Sequence, residues 1–229
     1  MLYPNLQVHN VFRQPDQVVE YAKSLEYIQD PEGRWPGKRS KFVHVLNYDL
    51  FNMVCKRTLA VLYPMNYHHM RFKAHSQFQT IPAAHAGGEG WIHQDIYSQI
   101  TCIIYLSHHD NCGTNLYIPE NEVMRPTFEK NNSESFDVNK IKETHYLQNK
   151  PFDDTYYKAL KINNSNYIKT TSFNSIYNSM VVFDGHTHHN ANGFVDSNCP
   201  GDRLTLVTFF DDITSSETLK YSGSELLKL

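Results

Sequence analysis

The chain is expected to fold as a mainly β, α+β domain: a sandwich or barrel core with N-terminal helices packed on one sheet. Helical spacing of apolar residues is confined to the first seventy positions, and from residue 70 the runs become alternating or continuous, rich in Ile, Val, Thr, Tyr and Phe. No Gly/Ser linker, repeat or long charge run divides the 229 residues, so 1–229 reads as one domain. A composition of 40% hydrophobic and 13% aromatic residues suffices to bury a core of that size.

Residues 1–69 read as mainly helical support. Pro15 suits a first helical turn, and Val18, Val19, Ala22 and Leu25 follow at helical spacing until Asp30-Pro31 breaks the pattern. A second helix is expected from Asp49 as N-cap, carrying Leu50, Phe51, Val54, Cys55 and Leu62 inward and stopping at Tyr63-Pro64. Between them lies a basic, aromatic turn, Arg34-Trp35-Pro36-Gly37-Lys38-Arg39. The β core is expected in 70–118 and 167–212, with strands at 70–81, 90–94, 99–107, 114–118, 167–174, 178–184 and 203–210. The polar stretch 119–166, with Asn131-Asn132-Ser133, Asn163-Asn164-Ser165 and a short helix near 153–161, reads as an insertion.

Charge and composition narrow the function classes. Lys and Arg number 21 against 24 Asp and Glu, a net charge of −3, which gives no general footprint for nucleic acid. No apolar run approaches the roughly 20 residues that span a bilayer, and residues 1–12 lack a signal-peptide pattern, so no membrane partner and a cytoplasmic location are expected. Cys55, Cys102, Cys112 and Cys199 form neither a disulfide framework nor a CxxC pair, which fits a reducing interior. GxSxG, P-loop and GxGxxG signatures are missing, and nothing in the sequence speaks to oligomeric state.

Thirteen histidines are the unusual feature. In Trp91-Ile92-His93-Gln94-Asp95, His93 and Asp95 stand two apart, which on a strand puts both on one face within reach of a single ion. A third ligand is expected from His186-Thr187-His188-His189, directly after the run Met180-Val181-Val182-Phe183. Two histidines and one carboxylate on one side of an ion form the facial triad of non-haem Fe(II) oxygenases. Farther on, Arg203, Thr205 and Val207 share one face of a strand. If Leu204 and Leu206 pack on the other face, Arg203 points into the barrel, where its guanidinium needs an anionic partner such as a dicarboxylate.

Together these features resemble the 2-oxoglutarate- and Fe(II)-dependent oxygenases, in particular the prolyl-hydroxylase-like branch. The resemblance covers residues 91–118 and 180–210: His93-x-Asp95, the strand Thr101-Cys102-Ile103-Ile104-Tyr105-Leu106-Ser107, the turn Cys112-Gly113-Thr114, then Phe183-Asp184-Gly185 with His189 and Arg203-x-Thr205. It implies a double-stranded β-helix (jelly-roll, cupin-like) core, with Fe(II) held by His93, Asp95 and His189. It also implies 2-oxoglutarate anchored by Arg203, with hydrogen bonds from Thr205 and Tyr105, whose strand face carries Thr101 and Ile103. Oxygen would complete the set, and a substrate would be hydroxylated with succinate and CO2 as coproducts. Ile81-Pro82-Ala83 ahead of Gly87-Gly88 departs from the tyrosine that prolyl hydroxylases carry there. The insertion 119–166 would help to select the substrate as a lid, and the N-terminal Trp35-Pro36-Gly37-Lys38-Arg39 resembles a group common in phages and bacteria, which would make a host cytoplasm one setting.

The substrate is expected to be a protein side chain or a small molecule. Arg34, Trp35, Lys38, Arg39, Arg71 and His75 would form a basic, aromatic rim suited to an acidic peptide, a phosphorylated metabolite or a nucleotide. Two rival readings use the same histidines: a non-catalytic cupin-like metal- or ligand-binding module that would not need Arg203 inside the barrel, and an interaction protein with a zinc site at His186, His188 and His189.

Overall fold

Sequence alternation becomes two antiparallel sheets in the computed structural model, which describes residues 3–120, 137–148 and 150–215. The larger has seven strands in the order β1 (Leu6–Val8), β8 (Ser179–Asp184), β5 (Ile100–Tyr105), β10 (Arg203–Ser215), β4 (Met70–Ile81), β3 (Lys38–Ser40) and β2 (Tyr27–Gln29). The smaller has β7 (Tyr167–Phe173), β6 (Thr114–Pro119) and β9 (His188–Ala191). With the N-terminal helices on one face of the large sheet, this is a double-stranded β-helix core.

Each face of the large sheet is assigned by side-chain alternation. One face carries Phe78, Ile100, Cys102, Ile104, Met180, Val182, Leu204, Leu206 and Phe210 against α1 (Pro15–Lys23) and α3 (Tyr48–Leu62), which contribute Ala22, Leu50, Phe51, Val54, Cys55 and Leu59. Burying each large side chain there contributes about 1.5–3 kcal/mol. The opposite face turns to the small sheet, where Tyr105, Val181 and Phe183 pack with Leu116. Farther along that face, Gln79, Ile81, Thr101, Ile103, Arg203, Thr205, Val207 and Phe209 line a cavity.

Several expectations need correction. The first seventy residues are not helical throughout, because β1, β2 and β3 extend the large sheet at its two edges. The first helix ends at Lys23, and Tyr27–Gln29 pairs with Lys38–Ser40. The second helix is capped by Asn47 rather than Asp49: the Asn47 side chain accepts from the Leu50 N–H at 3.0 Å, and Asp49 sits in the first turn. A four-residue helix α2 (Val43–Leu46) precedes it.

Residues 90–94 form no strand. His93 exchanges backbone hydrogen bonds with His189 at 3.0 and 2.9 Å, but Ile92 next to it is held by side chains: its N–H donates to Asn164 Oδ1 at 3.0 Å and its carbonyl accepts from Asn163 Nδ2 at 3.2 Å. Those asparagines end α5 (Asp154–Asn164), which with α4 (Val138–Leu147) forms the described part of the insertion. The helix expected near 153–161 is α5, and Asn131-Asn132-Ser133 lies outside the described residues. Tyr146, Tyr156, Ala159 and Leu160 pack with Ile81, Trp91, Phe194 and Val195, so α4 walls one side of the cavity through Lys142 and Tyr146 and α5 packs behind it.

The four cysteines are unpaired, and no helix among the described residues is long and apolar enough to cross a membrane.

Candidate metal centre and its cavity

His93, Asp95 and His189 come together at one end of the cavity, with a ligand-type atom from each within 4.8 Å of the others. His189 Nε2 lies 3.3 Å from Asp95 Oδ2, and His93 Nε2 lies 3.9 Å from Asp95 Oδ1. Different devices deliver them. His189 is placed by β9, whose pairing with β6 turns it inward while His188 packs on the Tyr167 ring with centroids 4.8 Å apart. Asp95 is placed by a loop: its N–H donates to the Gly185 carbonyl at 2.8 Å, and a Cβ at Gly185 would lie 2.1 Å from the Ser98 carbonyl oxygen. Only glycine fits that approach.

Both imidazoles are oriented for a metal. His93 Nδ1 meets the Trp91 carbonyl at 2.8 Å, and His189 Nδ1 meets the Thr187 carbonyl at 2.8 Å. A carbonyl only accepts, so each Nδ1 carries a proton and each Nε2 is turned toward Asp95, where a metal ion would take the place of any Nε2 proton. Thr101 donates to Asp95 Oδ2 at 2.6 Å and orients the carboxylate. Burial alone would raise the proton affinity of Asp95, but the hydrogen bond and charge of His189, then His93 and Thr101, pull it well below the usual carboxylate range. Desolvation by the surrounding cavity walls and then the neighbouring His189 draw His93 below the usual imidazole range against the pull of Asp95, although the outer edge of its ring stays exposed. At neutral pH Asp95 is charged and His93 neutral, the forms in which both bind metal.

Arg203 is 4% exposed and lines the same cavity. Its Nη1 donates to the Gly193 carbonyl at 3.1 Å, its guanidinium lies 5.6 Å from the Tyr105 ring centroid, and its buried Nε has no partner. Burial lowers its proton affinity, which Tyr105 and Cys112 partly restore. Thr205 lines the cavity on the same strand face. Tyr105 stands behind the wall, fully buried, with its hydroxyl sharing a hydrogen bond with Thr114 Oγ1 at 2.8 Å, so that Thr114 rather than Tyr105 meets the cavity.

Of the expected rim, Arg34, Trp35 and Arg39 reach the cavity, while Lys38, Arg71 and His75 do not line it. Arg71 pairs with Thr214 at the far end of β4, and His75 faces Asp211 at 3.5 Å. His186 Nδ1 lies 3.3 Å from Asp184 Oδ1 and stays outside the cluster. Residues missed by sequence reasoning are Gln79, Asn190 and Lys142. Gln79 was readable from the β4 alternation. Lys142 was not, because α4 carries no strong apolar periodicity.

This double-stranded β-helix is the fold of the 2-oxoglutarate- and Fe(II)-dependent oxygenases. The chain belongs to the DUF6445 family, a family of unknown function whose model matches residues 3–210. Among solved structures it is similar to the non-heme alpha-ketoglutarate-dependent epimerase SnoN from nogalamycin biosynthesis, at 11% identity over 93% of this chain and 78% of that one, with a TM-score of 0.52. HygX from Streptomyces hygroscopicus, solved with nickel and 2-oxoglutarate bound, matches at 11% identity over 95% and 85%, TM-score 0.51. EvdO2 from Micromonospora carbonacea var. aurantiaca matches at 12% identity over 93% and 89%, TM-score 0.50. At such identities the likeness is one of fold. No curated protein sequence matches the chain.

Proposed function

We propose that the protein is a 2-oxoglutarate- and Fe(II)-dependent oxygenase that hydroxylates a substrate bound in this cavity. The observation that carries the reading is the pairing of the His93, Asp95 and His189 cluster with a buried arginine whose Nε has no partner, in one cavity. Two imidazole nitrogens and a carboxylate suit Fe(II) and leave positions on the ion for other ligands. Arg203, whose buried Nε has no partner, suits a carboxylate, which a planar guanidinium receives bidentately. Bound together, iron, 2-oxoglutarate and O2 supply an oxidant able to hydroxylate an unactivated C–H bond, with succinate and CO2 as coproducts.

The residues of the chain bind and orient. His93 and His189 present Nε2, Thr101 holds Asp95, Arg203 anchors the far carboxylate with Thr205 beside it, and the walls of α4 and Phe194 limit water. A cupin-like module without turnover would use the histidines but leaves the buried Arg203 unexplained. The family match assigns no branch, so the substrate class is argued below from the cavity.

The deciding measurement is an anaerobic spectrum of the protein with Fe(II) and 2-oxoglutarate. A visible charge-transfer band from the chelated keto acid is expected, absent in Asp95→Ala. A colourless complex, or unchanged 2-oxoglutarate affinity in Arg203→Ala, would sink the assignment.

A further inference from the structure

The cavity holds more positive charge than the proposed reaction uses. Arg34 shows how this fold treats an arginine whose charge it does not need: Nε and Nη2 make a two-point contact with Asp30 at 3.1 and 2.8 Å. Arg39 is treated differently. Its guanidinium carbon lies 4.2 Å from the Trp35 ring centroid and 5.8 Å from that of Phe209. Nη2 reaches only the neutral Gln79 Oε1, at 3.4 Å, and the enclosed Nε has no partner. No carboxylate among the described residues pairs with it. Trp35 Nε1, on the same wall, is also buried without a partner.

Lys142 of α4 is the next unmatched cation. It is half-buried, lines the same cavity, and makes no ion pair among the described residues. Among the described residues the one carboxylate in the cavity lining is Asp95, which the metal cluster takes. With Arg203 reserved for the cosubstrate, two desolvated cations remain, and an enclosed cation without a counter-charge is costly. The surrounding walls, Trp35, Phe209, Ile81, Tyr146 and Phe194, are apolar or aromatic.

We propose that the substrate is a small organic anion, a phosphomonoester or carboxylic acid, whose charged group is received by Arg39 and Lys142 and whose apolar body lies on the aromatic wall. The inference rests on the oxygenase reading for the role of Arg203. A phosphomonoester matches best, since it brings about −1.5 to −2 charges to two cations. A cavity of about 220 Å³, shared with the ion and cosubstrate, leaves room for a small body rather than a chain.

The test is calorimetric and needs no turnover. Protein loaded with Mn(II) and 2-oxoglutarate without O2 is titrated with phenyl phosphate, benzoate, neutral benzyl alcohol and an acidic peptide. Phenyl phosphate is expected to bind at least about tenfold more tightly than benzyl alcohol, with benzoate between them. Arg39→Gln and Lys142→Gln should each weaken phenyl phosphate about tenfold and leave 2-oxoglutarate affinity within about twofold, whereas Arg203→Gln should do the reverse. Arg39→Lys, which keeps the charge, should recover part of the loss and separates recognition from folding.

Equal affinity for benzyl alcohol and phenyl phosphate overturns the proposal. So does loss of 2-oxoglutarate rather than phosphate in the two Gln variants, which leaves the oxygenase reading standing. A preference for the acidic peptide overturns the small-molecule assignment. If the wild type fails to bind 2-oxoglutarate, the oxygenase reading falls, and the phosphate titration on metal-free protein still decides the role of Arg39 and Lys142.

Discussion

At the scale of single residues, the proposed ligand set depends on groups that would not touch the ion. Thr101 donates to Asp95 Oδ2 at 2.6 Å and fixes which carboxylate lone pairs face the imidazoles. Thr101→Val preserves shape and removes that donor, so Mn(II) affinity measured by calorimetry should fall about tenfold, the usual effect of losing an outer partner of a metal ligand. The neighbouring histidines give a sharper contrast. His189→Ala should abolish binding, while His188→Ala, which loses only a ring contact with Tyr167, should leave it within about twofold. Equal losses would mean that β9 is out of register. The His93, Asp95 and His189 cluster was legible because a His-x-Asp spacing and a histidine after an apolar run are local signals. Arg39 was legible only as one of six rim residues and Lys142 not at all, because a charge reads as functional only when its partner is known to be missing, and the pairing of Arg34 with Asp30 is a fact of three dimensions.

At the scale of elements, legibility followed length and apolar content. β4 was readable to its ends because twelve residues alternate toward one core. β3 was not, since Lys38-Arg39-Ser40 contains no apolar residue and is a strand only because it pairs with β4 on one side and β2 on the other. Its approach turns at Gly37, where φ is +72° and a Cβ would lie 1.9 Å from the Thr80 carbonyl oxygen. The first-turn chemistry of α3 was misread by two residues, and this can be measured. Asn47→Ala should lower stability by about 1 kcal/mol in urea unfolding and Asp49→Ala by less, the reverse of what an Asp49 cap would give. The α4–α5 pair predicts a pH effect. His85 is 1% exposed, bonded through Nε2 to the Gln148 carbonyl at 2.8 Å and packed on Phe152. Burial holds its proton affinity below the ordinary value, against smaller opposing effects of Gln148 and Asp202. The unfolded chain takes the proton first as pH falls below about 6.5, so His85 costs stability progressively below that pH and nothing well above it. His85→Phe should flatten this part of the pH profile, and an unchanged slope would locate the acid sensitivity elsewhere.

At the scale of the molecule, the candidate centre lies between the two sheets. β9 of the small sheet supplies His189, β5 of the large sheet holds Asp95 through Thr101, and β10 supplies Arg203. The net charge of −3 conceals this arrangement, because the cations that face the cavity are few and, among the described residues, every acidic one but Asp95 lies elsewhere. An ion bound across the sheets resists their separation, so binding should appear as global stability. At a free Mn(II) concentration 100 times its dissociation constant the native state gains about 2.7 kcal/mol, a rise in midpoint of about 5–10 °C for a chain of this size. Adding 2-oxoglutarate should raise the midpoint again, and more in the presence of the ion than without it. Linkage then requires the converse: 2-oxoglutarate must tighten Mn(II) by the same factor by which Mn(II) tightens 2-oxoglutarate. Arg203→Gln should erase the second increment and keep the first, whereas Asp95→Ala should erase both, because a cosubstrate chelating the ion has nothing to chelate without it. A thermal shift from 2-oxoglutarate that is independent of the metal and survives Arg203→Gln would place the cosubstrate outside this cavity and separate the two halves of the assignment.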